Sequence, residues 1–176
     1  MDPDIITQDS LRLGLNLGLF VLRVVVGVTL ALHGVAKFRG GIRGVGNWFD
    51  AEGLRPGLLH AWLAACVEIG AGLGLALGLL TPFSAMAFVG VMATAGWVGH
   101  RTNGFFIIRE GWEYVFVLAA AAAAVAATGP GEWSVDHALG LAWHGPAWLA
   151  VAAAGGLISA VSLLAVCYRP SAPSEQ

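Results

Sequence analysis

The chain has 176 residues, 57% apolar and only 11% charged, with 25 glycines and a formal net charge of −2. That composition excludes an ordinary soluble domain and points to one polytopic membrane domain. The near-neutral charge and the lack of any basic run exclude nucleic acid as a partner.

Met1 to Ser10 reads as a polar tail carrying Asp2, Asp4 and Asp9. It lacks the positive stretch of a signal peptide, so the first apolar segment is expected to be retained. Leu11 to Ala36 is the first predicted span; Asn16, Arg23 and His33 lie inside it, and Gly14 and Gly18 have the four-residue spacing that lets helices approach closely. The segment up to Gly57 holds Lys37, Arg39, Arg43 and Arg55 among glycines, Trp48 and Phe49, and reads as a loop lying at the membrane interface.

Leu58 to Leu80 is an apolar run of 23 residues with one acid, Glu68, near its middle. As a helix it rises about 34 Å, enough to cross a bilayer core. Gly70, Gly74 and Gly78 share a face, with Gly72 beside them. The short link at Thr81-Pro82 makes the third span, 82–99, an antiparallel neighbour expected to pack on that glycine face. After a polar segment, a fourth span is predicted over 111–128, ended by Gly129-Pro130-Gly131, and a fifth over 146–168. Residues 169–176 read as a second polar tail. Cys66 and Cys167 lie in different settings and read as reduced packing residues rather than a disulfide.

With five spans, Lys37, Arg39, Arg43, Arg55, Arg101, Arg109 and Arg169 fall on one side. The positive-inside rule then places the N-terminus outside and the C-terminus in the cytoplasm.

A carboxylate at the bilayer centre costs at least ~2.5 kcal/mol on insertion scales, so Glu68 needs a partner. Counting from the helix ends puts Arg23 about 20 Å deep and Glu68 about 15 Å deep. An intramembrane Arg23–Glu68 pair is therefore expected, as a clamp or as the lining of a pocket. A second group, His33, Lys37, His100 and Glu113, is expected at the cytoplasmic mouth. It reads either as helix capping or as a vestibule for protons or a quinone oxygen. No metal site is expected, since no local spacing fixes a ligand pair, and Glu132, Asp136, His137 and His144 read at most as a weak surface site on the other side.

The stretches LRVVVGVTLALHGVAKF (22–38), VEIGAGLGLALGLLTP (67–82), HRTNGFFIIREGWEY (100–114) and GPGEWSVDHALG (129–140) together resemble the DoxX family of small membrane proteins. The resemblance spans about residues 12–140 and implies a four-helix membrane bundle, which this chain extends with the fifth run. The implied organisation is a tail (1–10), a DoxX-like bundle (11–140), an additional helix (146–168) and a tail (169–176). Arg23, His33, Gly34, Lys37, Glu68, Gly104, Phe105, Glu113 and Asp136 match the family pattern, to which no agreed catalytic set attaches. Family members include subunits of a thiosulfate:quinone oxidoreductase and of a membrane-bound oxidoreductase complex. The resemblance thus implies a subunit of a redox-linked membrane complex, associated with quinone or with thiol and sulfur chemistry. A non-catalytic assembly subunit and a small-solute or proton transporter are the alternatives. No flavin, haem or iron–sulfur pattern is present, so the expected cofactor is none of the chain's own, with quinone the one in view. The expected partners are lipids together with other subunits or copies of the same chain.

Overall fold

Pro3–Arg39 forms one helix, α1, of 37 residues. The stretch read as a polar tail is thus helical from its third residue, in keeping with the preference of proline for a first helical position. The structure, a computed structural model, describes residues 3–170; the extreme ends of both predicted tails lie outside the described residues. The segment read as an interfacial loop contains a helix, α2 (Ile42–Ala51), which buries Gly46 and Phe49 and leaves Arg43 and Trp48 exposed. There follow α3 (Gly57–Leu77), α4 (Thr81–Ala95), α5 (Glu113–Thr128), the single-turn α6 (Val135–Ala138) and α7 (Pro146–Cys167). Between α4 and α5 the chain widens into a π turn, Gly96–His100, and then makes two short 3₁₀ turns.

The expected all-α membrane bundle is what forms. Among the described residues four stretches, Thr7–Arg39, Gly57–Leu77, Thr81–Asn103 and Pro146–Cys167, are long and apolar enough to cross a membrane. The fifth predicted span is a full-length helix, whereas the fourth, α5, has 16 residues and rises only about 24 Å. Exposed Leu15, Val25, Leu32, Ile158 and Val161 give the bundle an apolar exterior. In water that surface would drive aggregation; against lipid tails it is the proper outer face.

Two close crossings set the packing. A Cβ on Gly27 of α1 would collide with the Gly72 carbonyl of α3, and one on Gly34 would press on the Ala65 carbonyl and Ile69. Gly155 and Gly156 of α7 play the same part under Met86 and Val89 of α4, so α7 is packed into the bundle against α4 and α5. The predicted glycine ridges are used differently. Gly14, Gly18 and Gly70 face open space, Gly74 meets Ser84 of α4, and Gly72, the residue beside the ridge, makes the contact with α1. Four-residue spacing shows that a smooth face exists; it does not show which neighbour will use it.

The crossings place the two ends of the bundle. At one end lie α2, the 101–112 segment and the end of α7, which is tied to the chain before α3 by Arg55 N–H to the Cys167 carbonyl (2.9 Å) and Arg169 N–H to the Gly53 carbonyl (2.6 Å). At the other end is the tight α3–α4 turn. Gly78 ends α3 with φ 64°, and Leu80, which has a Cβ, is held at φ 47°, a conformation that costs roughly 1–2 kcal/mol for an L residue.

That turn is held by two buried charges. Asp136, fully buried, accepts from Leu80 N–H (2.7 Å), Thr81 N–H (2.8 Å) and the Thr81 hydroxyl (2.6 Å). Its own N–H donates to the Gly78 carbonyl (2.8 Å). Arg23, also fully buried, donates to the Ala76 carbonyl (3.0 Å) and the Trp133 carbonyl (2.5 Å). Each charge sits where a helix end favours it, the anion at the amide end of α4 and the cation at the carbonyl end of α3. Asp136 is therefore a buried cap rather than part of a surface site. Asp136→Ala strands two amides and a hydroxyl, and is expected to cost roughly 1–3 kcal/mol or more. Asp136→Asn, which keeps an acceptor, should cost less. Thermal unfolding in mild detergent checks this order, and equal midpoints for the two variants would count against the cap.

Candidate functional site

Glu68 lies in the middle of α3 with its side chain 6% exposed. Its partner is Lys37, whose Nζ donates to Oε2 at 2.6 Å and to Oε1 at 2.7 Å. The expected Arg23–Glu68 pair does not form. The depth count set Ala36 level with Leu58, but α3 extends beyond the end of α1, and its first residue packs on Gly46 and Asp50 of α2. Gly34, not Arg23, is consequently level with Glu68. Arg23 stands eleven residues away, about 16 Å further along the helix. Lys37, one turn beyond Gly34, reaches back with its long stem, as lysines in membranes do.

The pair opens onto a cavity of about 500 Å³ enclosed by α1, α2, α3, α4, α5 and α7. Most of its wall is apolar, with Phe49, Leu54, Met92, Val98, Leu118 and Leu163 among the lining residues. Set into that wall, beside Lys37 and Glu68, are His33, His60, His100 and Tyr114. His33 is one turn before Lys37 on α1, and its ring lies 6.1 Å from that of Tyr114. The π turn brings Val98 and His100 to the cavity, while Trp48 of α2 leans on Gly99.

The hydrogen bonds fix what these groups can offer. His100 Nδ1 is 2.7 Å from the Glu110 carbonyl and His60 Nε2 is 3.2 Å from the Arg55 carbonyl. A carbonyl only accepts, so both nitrogens carry protons, leaving Nε2 of His100 and Nδ1 of His60 as the remaining ring nitrogens. Lys37 has three N–H bonds, two of which are directed to Glu68. The arrangement is a mostly apolar chamber of ligand size with one compensated ion pair, three imidazoles and a phenol on its wall.

Of the predicted vestibule, His33, Lys37 and His100 are brought together on this cavity, and Glu68 joins them in place of Glu113. Glu113 instead accepts from Ile107 N–H (2.9 Å) and braces the loop before its own helix, whose N-cap residue, Trp112, makes no side-chain cap bond. No cluster of three His, Cys, Asp or Glu side chains able to hold a metal occurs among the described residues. Sequence reasoning missed His60, Tyr114 and Ser159 as lining residues. His60 carried a usable signal, lying two turns before Glu68 on the same helix.

Residues 18–101 match the DoxX family model, a stretch running from α1 through the π turn after α4. The resemblance drawn from the sequence is borne out over those residues. No curated protein and no solved structure matches the chain.

The Lys37–Glu68 contact makes the two single substitutions unequal. Lys37→Met strands a carboxylate buried in α3, whereas Glu68→Gln strands an ammonium that is one-fifth exposed and able to turn outward. Lys37→Met should therefore be the more destabilising, and the double variant should be milder than the sum by roughly 1–3 kcal/mol. Unfolding of the four proteins in the same detergent measures that coupling. Arg23→Gln combined with Glu68→Gln should instead be additive.

Proposed function

We propose that this small membrane protein, whose DoxX match spans its first three membrane-crossing helices, binds a hydrophobic redox carrier of the quinone class as a subunit of a membrane redox complex. The observation that carries the reading is the cavity: about 500 Å³, mostly apolar, with the Lys37–Glu68 pair and three histidines set into its wall. A quinone ring has the same division, an apolar body with two carbonyl oxygens. The apolar wall suits the body, and the third Lys37 N–H suits an oxygen.

The residues' roles follow from their bonds. Glu68 holds the Lys37 ammonium in place and compensates its charge, so a donor stands in a low-dielectric chamber without leaving a net cation there. His33 and His100, each with ring nitrogens that can donate or accept, suit proton exchange between the cavity and the end of the bundle where α2 lies. Electron delivery belongs to a partner subunit, since the sequence carries no recognisable pattern for holding a flavin, haem or iron–sulfur cluster.

The orientation that accompanies this reading puts the α2 end, with its seven cations, in the cytoplasm and the N-terminus outside. In a chain with Cys66 and Cys167 replaced, a cysteine introduced near the C-terminus should resist an impermeant thiol reagent in intact cells. Its labelling there would reverse the topology.

Trp48 lines the cavity, and its fluorescence reports on occupancy. A short-chain quinone should quench emission of the detergent-purified protein saturably, and Trp48→Phe should lose most of that quenching. Ala95→Phe, which adds a ring to the lining, should weaken binding tenfold or more, on the order of 1.4 kcal/mol. Non-saturating quenching, equal in Ala95→Phe and wild type, would leave the ion pair as a structural clamp and favour an assembly subunit.

A further inference from the structure

A second hollow lies on the outer surface between α4 and α5, with a volume of about 330 Å³. Its lining includes three small, partly buried residues, Ala93, Gly96 and Ala119, and Trp97 and Phe116 stand beside them roughly half exposed. Val89, Met92 and Val115 are buried behind them, and a hollow with so apolar a lining suits a hydrocarbon chain. At the end of the channel where the π turn gives way to the loop stands one charge, Arg101.

Arg101 is held there by contacts that leave its charge uncompensated. Its guanidinium carbon lies 4.5 Å from the Trp97 ring centroid and 5.6 Å from that of Tyr168, and Nη2 donates to the Tyr168 hydroxyl at 3.0 Å. Two aromatic rings thus fix the plane of the fork while most of its N–H donors remain unassigned. Among the described residues Arg101 has no carboxylate partner; the two ion pairs present are Arg12–Glu132 and Lys37–Glu68. A planar fork with open donors near the end of the Thr81–Asn103 span, directly beside an acyl-sized channel, fits an anionic phospholipid: a chain lies in the channel and a phosphate oxygen pair meets the fork.

We infer that the α4–α5 channel and Arg101 form a binding site for a phospholipid with an anionic headgroup. The site opens on the outer surface, and Met92 and Val115 form the wall it shares with the internal cavity. The headgroup preference comes from Arg101 and the chain affinity from the small-residue floor, so the two can be removed independently.

The test is native mass spectrometry of the full-length protein in mild detergent, titrated with phosphatidylglycerol or phosphatidylcholine of identical acyl chains. Wild type should favour phosphatidylglycerol by about fivefold, the weight of one arginine at a membrane surface. Arg101→Gln should remove that preference while keeping phosphatidylcholine binding. Ala93→Leu, which fills the floor, should weaken both lipids. Arg43→Gln, another exposed arginine in the same end of the sequence-predicted topology, serves as the control and should behave as wild type. Equal affinity for both lipids in wild type overturns the inference. So does a loss of preference in Arg43→Gln as large as in Arg101→Gln, which would mean a diffuse positive surface. A preference surviving in Arg101→Gln overturns it as well, and an Ala93→Leu protein that binds both lipids like wild type removes the channel from the site.

Discussion

Gly27 of α1 and Gly72 of α3 meet backbone to backbone, and that contact sets the levels of Arg23, Lys37 and Glu68 relative to one another. With no side chain between them, the two helices lie close enough for the register to be fixed by steric collision on either side. Once Gly27 is opposite Gly72, Gly34 must fall opposite Glu68 and Arg23 opposite the end of α3. A residue with a side chain at either glycine would push the helices apart and release the register. Lipid offers no hydrophobic force to restore it, because tails solvate an exposed leucine as well as a helix neighbour does.

The register separates the ionisable groups into two kinds of burial. Arg23 and Asp136 are spent on backbone: one satisfies carbonyls and the other amides around a turn that contains a leucine in a left-handed conformation. In water such a turn could leave its open ends to solvent, whereas in a membrane bundle they must be met from within. Lys37 and Glu68 are spent on each other, and only their outer edges meet the cavity. This explains how a chamber can hold a lysine and a glutamate and still be lined mostly by apolar atoms. It also makes the pair sensitive to anything bound beside it, since a compensated pair in a low-dielectric site responds strongly to a new dipole.

The helices beyond the DoxX match complete the chamber. α5 supplies Tyr114, Val115 and Leu118, and α7 supplies Ser159, Ala160 and Leu163. α7 reaches this position because Gly155 and Gly156 let it lie directly on α4. Its last turn is then tied to the segment between α2 and α3, closing the end of the bundle where α2 and the loop after α4 also gather. The π turn after α4 serves two surfaces at once, since Val98 and His100 line the cavity while Gly96 and Trp97 line the outer channel. An extra residue per turn makes this division possible within five residues.

The sequence by itself determined the class and the places of the long apolar helices. Long apolar runs have one low-energy form in lipid, in which each segment satisfies its own backbone, so length and hydropathy suffice to locate α1, α3, α4 and α7. It also marked Arg23, His33, Lys37, Glu68 and His100 as residues that must be accounted for, because a polar group at that depth cannot be left alone. What it did not hold was their pairing. Depth counted from helix ends assumes that the ends are level, and α2, packed against the first turn of α3, makes them unequal. Nor did it show that Asp136, read beside the half-buried Glu132 and the exposed His137, is drawn inside to cap a helix 55 residues away. Both were decided by tertiary structure, for one reason: glycine contacts fix how helices slide past each other, and glycine spacing says only that contact is possible.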